Sequence, residues 1–362
     1  MHRRACLIAL ASLPLARLAA GATVERTSGF APVVPGRALV FPADEGAHPE
    51  FRTEWWYVTG WLTLPDGRPL GFQTTFFRVR TGIGEDNTSA FAPSQLILAH
   101  AAIADPGLGR LRHAQRSARV GFGLAGYASG QAKVWLGDWS FAQEGSDYRA
   151  RVESDEFGYD LALAADRPPL LQGDGGFSAK SPDPRHASYY YSRPQLAVSG
   201  RIRLDGQQHP VRGRAWMDHE WSSEYLPEGA SGWDWMGIDL DDGGALMAFR
   251  MRGRDGAPLW ASATLQADDG SSVRLTPGQI AFTPLRHWSS PRTGIRYPVA
   301  WRIRLDQREI TLDPLMDDQE LDSRRSTGAV YWEGAVRVLE QGHEIGRGYL
   351  EMTGYGETIR VG

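Results

Sequence analysis

The chain has 362 residues, among them 42 glycines, 22 prolines and 13 tryptophans, and a formal net charge of −4 at pH 7. This length predicts two domains, each large enough to bury its own apolar core, and the composition is typical of a protein rich in turns and strands. Because the chain is acidic, its charge gives no support for a nucleic-acid partner.

The N-terminus has the basic, apolar and small-residue regions of a secretory signal peptide. These regions are Met1-His2-Arg3-Arg4, residues 5–20 and Ala20-Gly21-Ala22. We expect residues 1–22 to be removed after Ala22, and Arg3-Arg4 is compatible with either the general secretory or the twin-arginine route. The mature protein would be periplasmic or secreted, and without the three arginines of residues 1–22 its formal charge is nearer −7.

Cys6 is the only cysteine and lies inside this leader. The exported chain would therefore contain no disulfide, and burial of its core must stabilise it. Cys6 precedes the apolar region, where a lipoprotein cleavage box would not place it, so we predict no lipidation. No later stretch approaches the roughly 18 apolar residues that span a bilayer. We expect a soluble protein or one in peripheral contact with a membrane.

Five Asp-Gly pairs predict β-hairpins, because this dipeptide fits the two-residue turn between antiparallel strands. They are Asp66-Gly67, Asp205-Gly206, Asp242-Gly243, Asp255-Gly256 and Asp269-Gly270. No segment has a sustained helical period with caps at both ends. We predict an all-β protein whose antiparallel strands close into barrels and so hide their edges.

Residues 167–193 have the composition of a linker, with Pro168-Pro169 and the glycines of residues 173–176. This stretch is predicted either to separate two barrels or to loop over the mouth of one. We place the N-terminal domain at residues 35–195 and the C-terminal domain at residues 196–358.

Residues 214–221 and 233–239, read as strands, combine acids, a histidine and four tryptophans. A carboxyl or imidazole flanked by indoles loses hydration, which hydrogen bonds or a shifted pKa must offset. Such groups are candidates for proton transfer. The alternative, of equal weight, is that Asp218, His219 and Glu220 form a satisfied polar network between two packed sheets.

Alternation along the strand puts Asp218 and Glu220 on one face and His219 and Trp221 on the other. If the second face is the inner one, the lumen of the barrel gains a proton carrier beside an indole. Asp239 would project into the same space. An acid with aromatic walls suits protonation of an electron-rich carbon, since an indole face stabilises a developing cation. The candidate catalytic residues are His219, Trp221, Asp239 and Asp218.

The first predicted strand places Glu54 and Trp56 on one face and Trp55 and Tyr57 on the other. Aromatic residues on both faces predict burial on both. A buried Glu54 needs a partner, for which Arg78 or Arg80 is suitable, and a structural ion pair is the favoured interpretation. The candidate ligand-binding residues are Glu54, Trp56, Arg78, Tyr190 and Trp235.

Two further aromatic motifs allow two interpretations. Tyr189-Tyr190-Tyr191-Ser192, with Lys180, could line an entrance, but a packed interdomain strand is favoured. Tyr331-Trp332-Glu333-Gly334 is likewise more typical of a core than of a site. His100 and His219 lack the spacing of known metal-ligand motifs, and we predict no metal and no cofactor. A Gly-x-Ser-x-Gly motif is absent, which argues against an esterase.

Glu54-Trp55-Trp56-Tyr57, Phe76-Phe77-Arg78, residues 189–192, residues 217–221 and residues 331–334 together resemble the AttH-like, carotenoid 1,2-hydratase-related family, often called predicted secreted hydrolases. The resemblance covers roughly residues 40 to 355. It implies two lipocalin-like β-barrels side by side. In the hydratases, a histidine-tryptophan pair and a tyrosine-aspartate pair are implicated in adding water to an isoprenoid double bond.

His219 and Trp221 match the first pair, and Asp239 matches the aspartate of the second, whose tyrosine position falls on Gly237. The chain is closer to the secreted branch, whose members tend to be encoded near envelope ABC transporters. Our leading hypothesis is an exported protein whose cavity binds a hydrophobic, isoprenoid or lipid-like molecule and hydrates or hydrolyses it. The alternative is a non-catalytic lipid carrier or chaperone that serves an envelope transporter.

Overall fold

The computed structural model describes residues 29–89 and 91–358, and the predicted leader with Cys6 lies outside them. Two short 3₁₀ helices occur, Ala43–Glu45 and Pro277–Gln279. The strands of the first half are β1 (Thr53–Thr63), β2 (Pro69–Arg80), β3 (Gln95–Asp105), β4 (Arg110–Arg119), β5 (Ala125–Tyr127), β6 (Lys133–Leu136), β7 (Trp139–Glu144), β8 (Asp147–Glu153), β9 (Phe157–Ala164), β10 (Leu170–Leu171), β11 (Phe177–Ala179), β12 (Ala187–Leu204) and β13 (Gln207–Glu224).

Ten strands make up the remainder of the described chain. They are β14 (Ala230–Leu240), β15 (Ala245–Gly253), β16 (Pro258–Gln266), β17 (Ser272–Leu275), β18 (Ile280–Ser289), β19 (Arg296–Leu305), β20 (Arg308–Pro314), β21 (Glu320–Asp322), β22 (Val330–Glu340) and β23 (His343–Met352). The all-β prediction is confirmed. None of the helices in the described residues is both long and apolar enough to cross a membrane.

All five Asp-Gly pairs lie in turns between consecutive antiparallel strands. At the turn between β12 and β13, Asp205 and Gly206 both have positive φ, of 49° and 78°. A type I′ turn requires this geometry, which glycine and aspartate tolerate better than branched residues.

Strands β1 to β13 form one antiparallel sheet in the order β4-β3-β2-β1-β13-β12-β9-β8-β7-β6-β5, with β10 and β11 paired to β12. The sheet curls until β4 contacts β6, which forms the first barrel. Its interior is filled by apolar side chains from one face of the strands, such as Val58, Phe76 and Met217. This barrel has a packed core.

Strands β14 to β23 form the second sheet in the order β17-β16-β15-β14-β23-β22-β20-β19-β18, with β21 paired to β22. It also curls, so that β16 contacts β18. Trp301 and Trp332 are fully buried in its core. A third apolar cluster contains Tyr57 and Trp216 of the first barrel with Trp235 of the second, and it joins the two barrels side by side.

The boundary between the two sheets lies later than the predicted one. Position 195/196 falls inside β12, and the first sheet continues to Glu224 at the end of β13. Residues 167–193 do not connect the barrels, since β10 and β11 fold back onto the first half of β12. Their proline and glycine content reflects tight turns within the first domain.

Candidate functional site

A cavity of about 1160 Å³ lies between the two barrels. Its walls come from the outward faces of β1, β2 and β13 on one side and of β14, β22 and β23 on the other. The wall contains nine Trp, Tyr and Phe residues and six carboxyl groups, Glu54, Asp218, Glu220, Glu333, Glu351 and Glu357. It has the volume and the mixture of apolar and polar groups expected of a small-molecule site.

The cavity is on the opposite face of β13 from the one assumed in the sequence analysis. Asp218 and Glu220 line the cavity, whereas His219 and Trp221 are fully buried on the inner face of the first barrel. The alternation was predicted correctly, but the barrel interior is filled with side chains. The expectation that His219 and Trp221 face an open lumen is therefore wrong.

His219 belongs to a buried charged network centred on Glu54. The Glu54 carboxylate accepts hydrogen bonds from Arg78 Nε at 2.8 Å and from the backbone N–H of His48 at 2.9 Å. Its Oε1 lies 2.9 Å from His219 Nε2 and 2.8 Å from His48 Nδ1. Of the two arginines proposed as the partner of Glu54, Arg78 forms the ion pair, and both side chains are fully buried.

Aromatic rings enclose this network from two sides. The indole of Trp221 stacks on the His48 ring with 3.7 Å between centroids, and Trp56 stacks on His219 at 4.7 Å. Burial opposes ionisation of Glu54, but hydrogen bonds from His219 and His48 and the charge of Arg78 outweigh it, so its pKa is lowered. Burial lowers the pKa of His219, which favours the neutral ring.

His48, Glu54 and His219 offer potential ligand atoms within 4.8 Å of one another. A divalent cation fits this group poorly, because the Arg78 guanidinium already supplies a positive charge to the same carboxylate. The geometry is that of a satisfied structural network, as the sequence analysis favoured for Glu54. The network would stabilise the end of the first barrel and strand β13, which carries the cavity acids Asp218 and Glu220.

Asp218 accepts three hydrogen bonds from side chains within the protein. Its Oδ1 accepts from Ser192 Oγ at 2.5 Å and Trp216 Nε1 at 2.7 Å, and its Oδ2 accepts from Tyr190 OH at 2.6 Å. Tyr190 in turn accepts from Trp235 Nε1 at 3.0 Å. Burial outweighs these hydrogen bonds and raises the pKa of Asp218 to about 7.

Glu220 has a cationic partner. Lys180 Nζ lies 2.7 Å from Glu220 Oε1, and both side chains are buried. The ammonium also lies 4.4 Å from the centre of the Phe249 ring. This buried ion pair links the β13 wall of the cavity to the segment that carries Lys180.

Glu333 and Glu351 lie directly opposite each other on β22 and β23. Tyr57 of the first barrel donates a hydrogen bond to Glu333 Oε1, and Glu333 Oε2 is buried without a partner. Burial, and then the charge of Glu351, raise the pKa of Glu333 well above its ordinary value. Burial also raises the pKa of Glu351, to about 8. Glu351 keeps part of its surface accessible, and it lines the cavity.

His100 lies elsewhere on the same wall. Its Nδ1 is 2.8 Å from Tyr331 OH, and its Nε2 is 2.8 Å from Ser326 Oγ. Burial lowers its pKa to about 3, so the ring is neutral. His100 therefore positions neighbouring hydroxyl groups and is not a proton donor at neutral pH.

Asp239 lies at the interface but outside the large cavity. It lines a separate pocket of about 310 Å³ with Arg214 and Arg347. Its Oδ1 accepts a hydrogen bond from the backbone N–H of Gln195 at 2.7 Å, and burial raises its pKa to about 7. Asp239 is in phase with Trp235, as predicted, but it does not project into the space that His219 occupies.

Of the five predicted ligand-binding residues, four line the cavity and one does not. Tyr190 and Trp235 line the cavity, and Glu54 and Arg78 contribute atoms to its wall, whereas Trp56 packs inside the first barrel. Sequence reasoning named Glu333 only as a core residue and did not find Glu351. Strand register brings the two acids together, and a single sequence carries little signal of that register.

The matches to known proteins agree with this architecture. A family model described as AttH-like matches residues 32–355. A crystal structure of a protein assigned as AttH from Nitrosomonas europaea is 52% identical, with a TM-score of 0.85, and the match covers 90% of this chain and 100% of that one. The chain belongs to the AttH-like family. No curated protein matches the sequence of this AttH-like protein.

More distant structures share the fold. Kievitone hydratase from Nectria haematococca is 13% identical with a TM-score of 0.68, and the match covers 90% of this chain and 95% of that one. CghA in complex with Sch210972 is 14% identical with a TM-score of 0.55, covering 91% and 97%. The expected pair of lipocalin-like barrels is thus the fold of the AttH-like protein.

Proposed function

We propose that this AttH-like protein hydrates a carbon–carbon double bond of an apolar, isoprenoid-like small molecule in the cavity between the barrels. One observation carries the proposal: Glu333 and Glu351 occupy paired positions on β22 and β23 and line the same cavity, together with several aromatic residues. Burial and the charge of Glu351 raise the pKa of Glu333, and neighbouring carboxyl groups in a poorly hydrated site do not both ionise at neutral pH. The pair therefore holds a proton beside an apolar ligand.

The first step transfers that proton. The alkene π electrons form a new C–H bond to the proton of the Glu351 carboxyl group, whose O–H bond breaks to leave a carboxylate. Trp235 is the cross-strand neighbour of Glu351 on β14, and Trp55 and Trp233 add further indole groups to the wall. Aromatic faces stabilise the carbocation that forms.

The second step adds water. A water lone pair forms the C–O bond, and the water loses a proton to the Asp218 carboxylate, whose pKa of about 7 suits a base at neutral pH. Hydrogen bonds link Asp218 through Tyr190 to Trp235, which adjoins Glu351. Proton exchange with solvent then restores both groups.

In this mechanism His219, Trp221 and Asp239 have other roles than those first predicted. His219 and Trp221 stabilise the Glu54 network behind the cavity wall, as Arg78 does. Asp239 on β14 accepts a hydrogen bond from the backbone N–H of Gln195 and so connects β12 to β14. Among the four candidate catalytic residues, Asp218 alone lines the large cavity in the described structure.

Kievitone hydratase supports the reaction class, since its name states a hydration and it shares this fold. The cavity volume, slightly above the usual range for ligand sites, supports a long apolar ligand. The predicted export and the resulting periplasmic or secreted location would favour a ligand of the cell envelope.

A second candidate is a non-catalytic lipid carrier that serves an envelope transporter. The saturated hydrogen bonding of Asp218 favours it, because three internal donors satisfy this acid without any substrate. A carrier would use the same cavity but would not change its ligand. The test of function must therefore separate binding from conversion.

The experiment is incubation of the purified protein with defined isoprenoid alcohols and hydrocarbons in ¹⁸O-labelled water, followed by mass spectrometry of the extracted molecules. A hydratase adds one labelled water to a substrate that it also retains in native mass spectrometry. Retention without conversion supports the carrier, and the absence of any retained ligand contradicts both functions.

A further inference from the structure

Two neighbouring loops expose large apolar side chains to solvent. Ile83 and Phe91 lie on the loop between β2 and β3, and Phe122 and Leu124 lie between β4 and β5; their relative exposures range from 57% to 65%. Phe91 and Phe122 contact each other with 4.9 Å between ring centroids. We call these four side chains the apolar rim.

The apolar rim is continuous with the cavity between the barrels. Ile83 belongs to both, because it lines the cavity and is also 64% exposed, and Thr81 beside it lines the cavity as well. The half-buried Trp135 lies beside the loop between β4 and β5, because its Nε1 donates a hydrogen bond to Gly123 O at 3.1 Å. Its indole ring adds to the apolar surface there. A ligand that reaches the cavity past Ile83 therefore crosses an apolar border.

The described chain also begins beside this surface. Gly29 O accepts a hydrogen bond from Arg80 Nη1 at 2.8 Å, and a side chain at Gly82 would come within 3.3 Å of the Phe30 ring. Gly29 and Phe30 thus lie at the same end of the protein as the apolar rim.

We propose that the apolar rim docks on the surface of a lipid bilayer, so that the cavity mouth opens toward the membrane. Exposed aromatic and aliphatic side chains on adjacent loops gain free energy by entering the interfacial region of lipids. The chain as a whole has a net negative charge, but Arg119 lies over the rings of Phe91 and Phe122 and adds a local positive charge to the rim. Binding should therefore depend mainly on apolar insertion, with a smaller contribution from Arg119 that salt screens.

A bilayer fits the rim better than a protein partner does. An apolar molecule of the class proposed for the cavity dissolves in membranes, and a membrane-facing mouth would deliver it without passage through water. The docking itself does not depend on the chemistry in the cavity. A protein that carries lipid and a protein that hydrates it would both use the rim.

The test is co-sedimentation of the purified protein with vesicles of phosphatidylethanolamine and phosphatidylglycerol. The F91S/F122S double variant should bind at least about tenfold more weakly, since two aromatic side chains no longer insert. The matched control is V273S/L285S, which removes two exposed apolar side chains from the second barrel. The control should bind like the original protein, and all three should have the same thermal unfolding temperature.

A second measurement reports insertion directly. Cys6 is the only cysteine, so Leu124→Cys in a protein without Cys6 can carry a single environment-sensitive dye, with Val273→Cys as the control position. The dye at position 124 should shift to the blue with vesicles, and the dye at 273 should not. Equal vesicle binding by F91S/F122S, or a dimer in which the rim is buried and no vesicle binding occurs, would overturn the proposal.

Discussion

Glu333 and Glu351 lie at paired positions of β22 and β23, and both acids face the cavity between the barrels. Like charges at such positions destabilise a sheet, and burial strengthens the effect. The protein therefore keeps at least one of these groups protonated at neutral pH. A protonated acid in an apolar site is what an alkene hydratase requires, which makes this pair the centre of the proposed function.

The acid pair predicts that stability falls as pH rises. The pKa of Glu351 is raised to about 8 from an ordinary value of 4.5, so the folded state binds the proton more tightly than the unfolded state does. The stabilisation is complete below about pH 4.5 and is lost as pH rises through about 8. Glu351→Gln should reduce this loss by about 3 kcal/mol, measured by urea unfolding at pH 6 and pH 9.

The exposed Glu309→Gln on β20 is the control for the pH experiment. It should leave the difference in unfolding free energy between the two pH values unchanged. An identical pH dependence in Glu351→Gln and the original protein would contradict the raised pKa of Glu351.

Glu54→Gln should be strongly destabilising. The substitution removes the negative charge that Arg78 pairs with, and it leaves a fully buried guanidinium uncompensated. We expect a loss of about 3–5 kcal/mol in the free energy of unfolding. Glu85→Gln, at the solvent-exposed ion pair with Arg80, should change stability little. Equal effects of the two substitutions would mean that the Glu54 network is not structural.

The two interfacial aspartates provide a matched pair. Burial raises the pKa of both Asp218 and Asp239 to about 7, but Asp218 alone lines the large cavity. Asp218→Asn should lower kcat by about a hundredfold, the scale of a lost general base, whereas Asp239→Asn should leave kcat within about threefold. Steady-state kinetics measures both, on the isoprenoid compound that the labelled-water experiment shows to be converted. The reverse result would place the chemistry in the smaller pocket.

His219→Gln separates the structural role from the catalytic one that the family resemblance implies. His219 lies on the inner face of the first barrel, against Glu54 and Trp56. A glutamine amide can still donate to Glu54, so kcat per folded molecule should remain within about threefold while the unfolding temperature falls. A loss of a hundredfold or more in kcat at full folding would restore His219 to the mechanism.

Sequence reasoning reached the fold through local signals. The turn at Asp205-Gly206 and its four counterparts are set by backbone conformations that neighbouring residues hardly influence. The need of Glu54 for an arginine partner followed from the cost of burying one charge, although the sequence left Arg78 and Arg80 as alternatives. These features depend on few residues and short separations, so a single sequence contains them.

The location of the cavity could not be predicted from these local signals. Strand alternation separates Asp218 from His219, but it does not state which face packs inside a barrel and which faces the second barrel. Glu351 is brought to Glu333 only by the register of β22 and β23. The domain boundary moved for a similar reason, since β12 pairs with both β9 and β13 and so keeps residues 196–224 in the first sheet.

The measurement that tests the central claim most directly compares Glu351→Gln with the original protein under identical conditions, with bound ligand and hydrated product both recorded by mass spectrometry. Our account predicts that the variant retains the ligand but forms at least about a hundredfold less product, because the proton donor is missing. Product formation at the original rate in a correctly folded variant would contradict the assignment of the carboxyl pair as the proton donor.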